Sequence, residues 1–444
     1  MFTYERWQLS TKGVQVGIIG FGTVGTGTAK ILLQNRELIE HRLGFELSLK
    51  RIADLDVHRD RGLEVPAECL TTRASDILDD PDIGVVVELI GGIHPAKELT
   101  LEAVNKGKYV VTANKALLAT HGEEIFEAAH NKGVAVGFEA SVAGGIPIIK
   151  AVRESLVGNR ISRIFGIMNG TANFILTKMA KERVDFGTAL KEAQRLGYAE
   201  ADPTFDVEGI DTAHKLTLLA SLAFGIPLCF DKIYIEGITR ISPLDVVFAS
   251  GFGYKIKLLA VAKDTGQDGI ELRVHPTMLP DSSLISEVDG VFNAVVVEGD
   301  AVGQTLFYGQ GAGSLPTGSA VVSDIVDMAK LIYSKCMGLR PGVSQKRDVK
   351  IKAIGDLVSP YYFRFSVFDK PGVLSKISGI LGEHQISIES VLQKARKKNE
   401  PVPLVMLTHE ASERDVVNAF DEINNLSVVA DKSVFIRVED SERS

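Results

Sequence analysis

The sequence predicts an α/β protein with three parts: a doubly wound parallel sheet, an α+β domain and a C-terminal ferredoxin-like βαββαβ domain. A chain of 444 residues is too long for one hydrophobic core, so two or three domains are expected. Short apolar strands alternate with helices in the N-terminal part, which is the pattern of a parallel sheet. The C-terminal part has the order strand, helix, strand, strand, helix, strand. We place the domains at residues 1–140, 141–340 and 360–444, with a basic, polar linker at 341–359.

In the N-terminal domain, strands rich in β-branched residues are separated by helical stretches. The predicted strands are Val14–Ile19, 45–53, 85–90, Tyr109–Thr112 and 134–138. The predicted helices follow the first strand to about residue 34 and occupy 95–106 and 122–131. This alternation requires crossover connections, and it therefore predicts a parallel sheet covered by helices on both faces.

The middle domain mixes helical and strand signals. Helices are predicted near Phe186–Arg195, 212–224 and 320–334, and strands at 161–168, 293–298 and 302–308. The glycine-rich run 308–319 is predicted to be a loop because glycine is unfavourable in helix interiors.

In the C-terminal domain, strands are predicted at Tyr361–Phe368, 385–392, 403–408 and 428–438, and one helix at Glu413–Asn424. The segment 369–374, Asp-Lys-Pro-Gly-Val-Leu, is a turn that opens the other helix.

Composition restricts the class of protein. Apolar residues make up 45% and charged residues 24%, as in ordinary globular domains. The net charge of −8 argues against nucleic-acid binding. Three scattered cysteines supply neither a disulfide framework nor zinc spacing, so a reducing compartment is expected. Without a signal peptide or a run of membrane-spanning length, we expect a cytoplasmic protein with no membrane partner.

The segment 20–25, Gly-Phe-Gly-Thr-Val-Gly, follows a predicted strand and opens a helix. In a Rossmann fold the first glycine allows a tight turn, the second lets the backbone approach a pyrophosphate and the third permits close helix packing. The helix N-terminus supplies amide donors to the phosphates. We therefore predict cofactor contacts from Gly20, Gly22, Thr23, Val24 and Gly25.

The choice between NAD and NADP depends on the end of the second strand, where Lys50, Arg51 and Asp54 lie. Asp54 would accept from a ribose 2′-hydroxyl and favour NAD, whereas Arg51 would meet the 2′-phosphate of NADP. Asp54 is further from the glycines than the usual acidic residue, so the sequence favours NADP through Arg51. The alternative is that these basic residues are solvated strand-end charges.

Two further segments are candidate binding sites. Lys115 follows a predicted strand, and ligands of parallel sheets bind outside the carboxyl ends of the strands, so Lys115 is a candidate neighbour of the nicotinamide. The alternative is an ordinary lysine at a helix start. The loop 139–147 is rich in carbonyl groups and contains Glu139, a composition that can hold a hard monovalent cation. The alternative is an interdomain hinge.

The segment 196–215 carries the clearest catalytic signal. Its first half contains turn residues and is predicted to be a loop; from residue 209 the pattern is helical. Asp211 and Lys215 are four residues apart and share one helix face. A lysine oriented by a carboxylate at the entrance to an apolar helix is a candidate proton donor. The alternative is a solvated helix pair that contributes only ~0.3–0.5 kcal/mol.

These motifs resemble those of the homoserine dehydrogenase family over nearly the whole chain. The resemblance rests on segments 20–25, 113–115, 139–147, 169–174, 197–215 and 309–317. The string Gly-Tyr-Ala-Glu-Ala-Asp-Pro, followed by Asp211 and Lys215, is especially specific. The turn at 369–374 is similar to the start of an ACT domain, as in the long bacterial form of the enzyme.

The resemblance implies NAD(P)-dependent, reversible conversion of L-aspartate 4-semialdehyde to L-homoserine, on the route to threonine, isoleucine and methionine. It implies that Lys215 is the proton donor, Asp211 a catalytic aspartate that positions substrate or water, and Lys115 a second site lysine. Substrate binding is implied for Glu200, Asp211 and Gly197, and cofactor binding for Gly311 as well as for Arg51 and Lys115.

The resemblance also implies a sodium ion, an effector and an oligomer. The sodium positions are Glu139, Val142, Gly144 and Ile146. The ACT domain implies an amino-acid effector, threonine, at Asp369, Gly372 and Val373. The middle domain would bind substrate and mediate dimerisation, and the ACT domain suggests a homodimer or tetramer by analogy.

Two other functions are alternatives on the residues alone. A phosphorylating semialdehyde dehydrogenase needs a reactive thiolate, and no cysteine of this chain lies in a suitable polar context. A non-catalytic sensor could combine a dinucleotide fold with an amino-acid-binding module. A sensor, however, would have no use for the acidic segment from Glu200 to Lys215.

Overall fold

The structure is a computed structural model, and it describes residues 13–334, 346–393 and 400–439. The chain forms two compact units. The first comprises residues up to 159, 217–230 and 307–348; the second comprises 160–216, 231–306 and residues from 349 onward. Among the described residues, no helix combines the length and apolarity needed to cross a membrane.

Strands and helices are numbered in chain order. The strands are β1 Val14–Ile19, β2 Leu47–Ala53, β3 Leu70–Thr71, β4 Ile83–Glu88, β5 Tyr109–Thr112, β6 Val136–Gly137, β7 Ile161–Ile167, β8 Tyr234–Ile235, β9 Tyr254–Asp264, β10 Ile270–Pro280, β11 Phe292–Gly299, β12 Gly303–Gln310, β13 Val358–Ser359, β14 Tyr361–Phe368, β15 Ile388–Leu392, β16 Pro401–Thr408, β17 Ala411–Ser412 and β18 Val429–Val438. The helices are α1 Thr23–Gln34, α2 Arg36–Leu43, α3 Ser75–Leu78, α4 Ala96–Asn105, α5 Lys115–Lys132, α6 Ile148–Lys150, α7 Gly170–Glu182, α8 Phe186–Arg195, α9 Thr204–Val207, α10 Ile210–Phe224, α11 Pro243–Gly251, α12 Ser314–Ser334, α13 Val373–Glu383 and α14 Glu413–Asn424.

The first unit contains a six-stranded parallel sheet in the order β3-β2-β1-β4-β5-β6. This is the doubly wound order with its reversal between β1 and β4, so the predicted Rossmann-like sheet is confirmed. Its core is built from the β-branched residues of the strands, such as Val16, Ile18, Val85 and Val87. These strands read as continuous apolar runs because both faces of the sheet are covered.

Helix α12 also belongs to the first unit, and it packs against α1. It begins at Ser314, and β12 extends to Gln310, so the predicted loop 308–319 is wrong except at residues 311–313. The glycines have a packing role there. A Cβ on Gly318 would lie 2.8 Å from the backbone of Gly27 in α1, and a Cβ on Gly27 would overlap the carbonyl of Ser314.

The second unit contains one long mixed sheet in the order β12-β11-β7-β9-β10-β18-β14-β16-β15, with β8 paired to β10. The strands of the middle domain and those of the C-terminal domain are joined where β10 pairs with β18 in parallel, with Thr277 opposite Arg437 and Met278 opposite Val438. The predicted α+β domain and the ferredoxin-like domain therefore share a sheet.

The C-terminal domain has the predicted βαββαβ order, β14-α13-β15-β16-α14-β18. Its strands lie in the order β18-β14-β16-β15, and adjacent strands are antiparallel. Aromatic side chains fill the space between sheet and helices: Phe420 of α14 contacts Phe363 and Phe365 of β14, with ring centroids 4.8 and 5.2 Å apart. The ferredoxin-like prediction is confirmed.

The predicted linker 341–359 lies partly outside the described residues, at 341–345. Its described part is attached to other elements. Ile351 forms a bridge with Ile270 of β10, and β13 pairs with β17.

Candidate active site

The acidic segment predicted to carry catalysis forms a buried charged cluster in the second unit. Helix α10 begins after Gly209, whose φ of +81° ends the preceding turn, and Asp211 lies in its first turn. Lys215 Nζ donates to Asp211 Oδ2 at 2.6 Å and to the carbonyl oxygen of Met168 at 2.6 Å. Both side chains are buried, being about a tenth exposed. The predicted pair is therefore formed, and it is not a solvated helix face.

Two further residues, Asn169 and Asp206, complete this cluster. The Nδ2 group of Asn169 donates to Asp206 Oδ1 at 2.6 Å and to Asp211 Oδ2 at 2.9 Å. Its Oδ1 accepts from the backbone N–H of Ala172 at 2.8 Å and caps α7. Burial raises the pKa of Asp206, and the nearby Asp211 carboxylate raises it further, whereas the Asn169 hydrogen bond lowers it. The cluster thus holds two carboxylates against one ammonium.

The sequence predicts no role for Asn169 or Asp206 in the site. A polar residue between a strand and a helix start is the available signal for Asn169, but it predicts only a helix cap. Asp206 was one of several acidic residues in its segment. Nothing in the spacing of the chain predicts that residues 37 and 42 positions apart meet through one amide group.

The structure places the predicted substrate-binding residues Gly197 and Glu200 on the loop between α8 and α9. Gly197 has a φ of +77° and follows the end of α8. The side chain of Glu200 is exposed, while its carbonyl oxygen accepts from Gln194 at 3.1 Å. The loop is tied to α7 because Thr171 donates to the carbonyl of Tyr198 at 2.6 Å. Glu200 is thus held on an anchored loop with its carboxylate exposed.

The glycine-rich segment of the first unit has the geometry of a pyrophosphate cradle. Gly20 has a φ of +105°, and a Cβ there would lie 2.5 Å from the carbonyl oxygen of Leu89. A Cβ on Gly25 would overlap the carbonyl of Gly20, so only glycine lets α1 start this close to the turn. A Cβ on Gly22 would meet nothing within 4 Å. Open space in front of the N-terminus of α1 therefore fits a dinucleotide phosphate group.

The charged residues near the end of β2 have different surroundings. Asp54 Oδ2 accepts from the backbone N–H of Phe21 at 2.6 Å, and Asp54 Oδ1 pairs with Arg61 at 3.2 Å. Arg61 also stacks on the ring of Phe21. Arg51 makes a long hydrogen bond of 3.5 Å to the carbonyl of Asp76, and its Nε is buried without a partner. Arg61, for which the sequence predicts no role, thus joins Asp54 at the glycine-rich turn.

Lys50, which also lies near the end of β2, is already paired with two carboxylates. Its ammonium donates to Asp80 at 2.9 Å and to Asp82 at 3.0 Å. These contacts give Lys50 a structural role, and it was not among the predicted cofactor-binding residues.

Lys115 is the first residue of α5, at the carboxyl edge of the parallel sheet. The neighbouring Asn114 accepts from the Leu117 N–H at 3.1 Å and donates to the Gly92 carbonyl at 2.6 Å. Glu88, at the end of β4, accepts from the Thr112 hydroxyl at 2.6 Å. These bonds connect the ends of β4 and β5 and fix the backbone from which Lys115 projects.

The predicted cation loop follows β6. The carboxylate of Glu139 accepts from the backbone N–H groups of Ile149 and Lys150, at 2.9 and 2.8 Å. Burial raises the pKa of Glu139, and burial raises that of Asp324, which accepts from the Glu139 N–H, to about 7. The structure thus places the Glu139 carboxylate at the start of a helix.

The other three predicted sodium positions surround a sharp turn. The Val142 N–H donates to the carbonyl of Glu139 at 3.3 Å, and the Ile146 N–H to that of Ala143 at 3.1 Å. Gly144 has a φ of +56° and approaches the backbone of Gly311 so closely that a Cβ would overlap it. Among the described residues, no group of three or more His, Cys, Asp or Glu side chains could hold a metal.

The predicted effector residues lie at the start of α13. Asp369 follows β14, Gly372 has a φ of +88° at the N-cap, and Val373 is the first helical residue.

A separate cavity of about 220 Å³ lies beside β8 and is lined in part by Glu271, Arg273 and Lys352. The Glu271 carboxylate already pairs with Arg273 and Lys352 at 3.2 and 3.0 Å.

Comparison with known proteins matches this arrangement to one family. The family model "Homoserine dehydrogenase, NAD binding domain" matches residues 20–139, and the model "Homoserine dehydrogenase" matches residues 147–326. The homoserine dehydrogenase of Pseudomonas aeruginosa is 50% identical over 433 residues, which is 96% of this chain and 99% of the relative. The chain belongs to the homoserine dehydrogenase family. A third model, the ACT domain, matches residues 361–428, so the resemblance predicted from the sequence is confirmed.

Other members of the family support the same assignment. The homoserine dehydrogenase of Bacillus subtilis is 41% identical, with 96% of this chain and 99% of the relative covered. The crystal structure of a homoserine dehydrogenase from Thiobacillus denitrificans superimposes with a TM-score of 0.92 at 50% identity and covers 97% of this chain and 99% of its own. The chain is therefore an oxidoreductase with a dinucleotide-binding domain, and its ACT domain suggests regulation by an amino acid.

Proposed function

We propose that Lys215, oriented by Asp211, is the proton donor in the reversible reduction of L-aspartate 4-semialdehyde to L-homoserine. The observation that carries this proposal is the buried cluster in which Lys215 bonds both Asp211 and the Met168 carbonyl. A buried ammonium with two fixed acceptors points its remaining hydrogen in one direction. Family membership favours this enzyme over a sensor or a thiol-dependent dehydrogenase.

The chemistry follows from the residue types. The bound nicotinamide cofactor supplies or accepts the hydride. Reduction of the aldehyde creates negative charge on its oxygen, and the Lys215 ammonium both stabilises this charge and donates a proton to it. In the oxidation direction, neutral Lys215 takes the hydroxyl proton of homoserine. Asp211 and the Met168 carbonyl hold the amine in place in both directions.

Substrate recognition uses the excess negative charge around this lysine. Asp206 and Asp211 contribute two carboxylates; Lys215 pairs with Asp211, and Asn169 bonds both carboxylates. Such a site attracts the α-ammonium group that both substrates carry. We assign this group also to Glu200, whose exposed carboxylate lies on the loop that starts at Gly197.

We assign the cofactor to Gly20, Gly22, Thr23, Val24 and Gly25, with Arg51, Lys115 and Gly311 as further contacts. NADP is the proposed cofactor because the guanidinium of Arg51, at the end of β2, makes a long hydrogen bond of 3.5 Å to the Asp76 carbonyl and can meet a 2′-phosphate instead. One structural relative, a hyperthermophilic archaeal homoserine dehydrogenase that is 27% identical with a TM-score of 0.61, was solved in complex with NADPH. With the dinucleotide bound at these residues, Lys115 would lie near the nicotinamide, since Lys115 projects from the carboxyl edge of the sheet.

A sodium ion is proposed at Glu139, Val142, Gly144 and Ile146. The sharp turn at Ala143 and Gly144, both with positive φ, supports this assignment because it turns successive peptide groups in different directions. Both Glu139 carboxylate oxygens already accept backbone N–H groups, so we expect carbonyl oxygens to supply most of the ligands.

Regulation is proposed to act through threonine bound at Asp369, Gly372 and Val373 of the ACT domain. We also propose that the enzyme is a cytoplasmic homodimer or tetramer that serves threonine, methionine and isoleucine biosynthesis. The proposed domains are 1–140 for the dinucleotide, 141–340 for substrate and dimerisation, 341–359 as linker and 360–444 for regulation.

The experiment that tests the proposal is a steady-state assay of L-homoserine oxidation by the full chain with NADP and NAD in turn, with and without threonine. We expect turnover with both cofactors, a higher kcat/KM with NADP and inhibition by threonine. Absence of homoserine-dependent reduction of either cofactor would refute the function, and unaltered rates with threonine would refute the effector alone.

A further inference from the structure

A buried arginine, Arg437, is one of the charged residues that join the ACT domain to the middle domain. Arg437 lies on β18, directly opposite Thr277 of β10, and its side chain is 1% exposed. It donates from Nε to Glu413 Oε2 at 2.9 Å, and its NH2 group also contacts Glu413. Glu413 is the first residue of α14, so this pair belongs entirely to the ACT domain.

The same guanidinium reaches the middle domain. Its NH1 group donates to Glu236 Oε2 at 2.7 Å, and its NH2 group contacts the hydroxyl of Tyr234 at 3.2 Å. Tyr234 lies on β8, and Glu236 follows that strand directly. Arg437 therefore neutralises one carboxylate from each domain, and a buried arginine depends on both partners for its solvation.

Glu236 begins a turn that is packed on the catalytic segment. The next residue, Gly237, lies so close to Val207 that a Cβ would be 2.6 Å from the Val207 carbonyl oxygen. The Ile238 N–H donates to the same carbonyl at 2.8 Å. The Thr239 hydroxyl donates to the Glu208 carboxylate at 3.0 Å. Three successive residues after Glu236 thus contact Val207 and Glu208.

Val207 and Glu208 lie inside the turn that precedes the candidate proton donor. This turn, residues 206–209, is closed by the Gly209 N–H bond to the Asp206 carbonyl at 3.2 Å. Its first residue is Asp206, which bonds Asn169, and its last leads directly into α10 and Asp211. A displacement of Glu236 is therefore transmitted through directly packed residues to the cluster of Asp206, Asp211 and Lys215.

We propose that Arg437 is a positioning residue that couples the ACT domain to the catalytic turn 206–209 through Glu236. When the N-terminus of α14 moves, Glu413 moves with it and displaces the Arg437 guanidinium. This displacement changes the hydrogen bond from Arg437 to Glu236, and with it the position of the turn 206–209. This inference rests on the proposed catalytic role of the Asp211–Lys215 pair. It makes the ACT domain a support of the active site even without an effector.

The test is Glu236→Gln in the full chain, which keeps the side-chain volume but removes the charge that faces Arg437. The matched control is Arg414→Gln, on the same helix as Glu413, because Arg414 pairs with Asp356 at 2.9 Å and is largely exposed. Arg437→Lys tests whether charge alone maintains the coupling, since lysine keeps the positive charge but can no longer bond both Glu413 and Glu236. Two readouts are used: amide hydrogen exchange and the steady-state constants for homoserine.

In Glu236→Gln we expect exchange of residues 204–215 to accelerate at least about fivefold, with α13 of the ACT domain unchanged. We expect kcat/KM for homoserine to fall at least about fivefold, mainly through KM, and any threonine inhibition to weaken. Arg414→Gln should leave both readouts as in the wild type, and Arg437→Lys should fall between the two.

Wild-type exchange of residues 204–215 in Glu236→Gln would overturn the coupling, and so would equally faster exchange in α13, which indicates general loosening. The exchange readout does not depend on the reaction. If the wild type failed to oxidise homoserine, the proposed function would fail while hydrogen exchange still decided the coupling.

Discussion

At the scale of single residues, the cluster around Lys215 shows what spacing can and cannot predict. The pairing of Asp211 with Lys215 follows from their separation on one helix, and the structure forms it with a 2.6 Å contact. Asn169 and Asp206 join it across the fold, and no local pattern predicts them. Their hydrogen bonds change the interpretation of the pair from a surface contact to a buried, negatively charged site.

The cofactor preference is also decided by single residues. Replacing Arg51 with Gln should raise KM for NADP about tenfold, because a charge-assisted contact to the 2′-phosphate is lost, and should leave KM for NAD within about twofold. Steady-state titration of both cofactors measures this. Lys50→Gln is the control, since Lys50 is engaged by Asp80 and Asp82, and it should change neither constant. Equal effects of Arg51→Gln on both cofactors would argue against a phosphate contact.

At the scale of elements, most strands and helices follow from periodicity, but the long central strands β9 and β10 were not predicted. Five of the six parallel strands of the first unit, all but β3, and the βαββαβ order of the last domain were predicted within a few residues. The start of α12 was not, because Gly318 was interpreted as a loop residue although it serves helix packing against Gly27. Helix propensity alone cannot distinguish a glycine in a loop from a glycine at a close helix contact. The first is needed for its backbone freedom and the second because it lacks a Cβ.

The packing of α1 on α12 gives a stability prediction. Gly318→Ala should destabilise the protein by ~1–3 kcal/mol, because its Cβ would lie 2.8 Å from the backbone of Gly27. Gly379→Ala in α13 is the matched control; its Cβ would meet nothing within 4 Å, and alanine should stabilise the helix by ~0.5–1 kcal/mol. Chemical denaturation measures both. Equal stability changes in the two variants would contradict the close helix contact.

At the scale of the whole molecule, the ACT domain is not an appended module. Its last strand continues the sheet of the middle domain, and buried charges cross the seam. Arg273 of β10 pairs with Glu439, which follows β18, and Lys263 of β9 pairs with the same carboxylate at 2.7 Å. The sequence predicts each domain separately but not the pairing of β10 with β18, because parallel pairing of strands so distant in sequence leaves no local signal.

The buried ion pairs between the ACT domain and the middle domain predict that the stability of the fold depends on pH. Burial acts to raise the pKa of Glu439, but Arg273 and Lys263 outweigh it and lower the pKa from 4.5 to about 2. A carboxyl with a lowered folded-state pKa stabilises the fold above its unfolded pKa and loses that contribution as the pH falls toward the folded pKa. The difference in Tm between wild type and Glu439→Gln should therefore be largest near neutral pH and shrink below about pH 4.5.

Thermal unfolding across the acidic range measures this difference, with Glu298→Gln as the control. Glu298 lies 3.8 Å from Arg163 and is partly exposed, so its variant should differ little from the wild type at any pH. A Tm difference for Glu439→Gln that stays constant with pH would contradict a charged role for this carboxylate.

The proposed mechanism depends most on Lys215 as the proton donor, and pre-steady-state kinetics of Lys215→Ala with L-homoserine test this role most directly. We predict that the rate of cofactor reduction falls at least ~10²-fold while the Kd of the cofactor, measured by fluorescence titration, stays within about twofold of the wild-type value. Near-normal rates of cofactor reduction in Lys215→Ala would contradict the central claim.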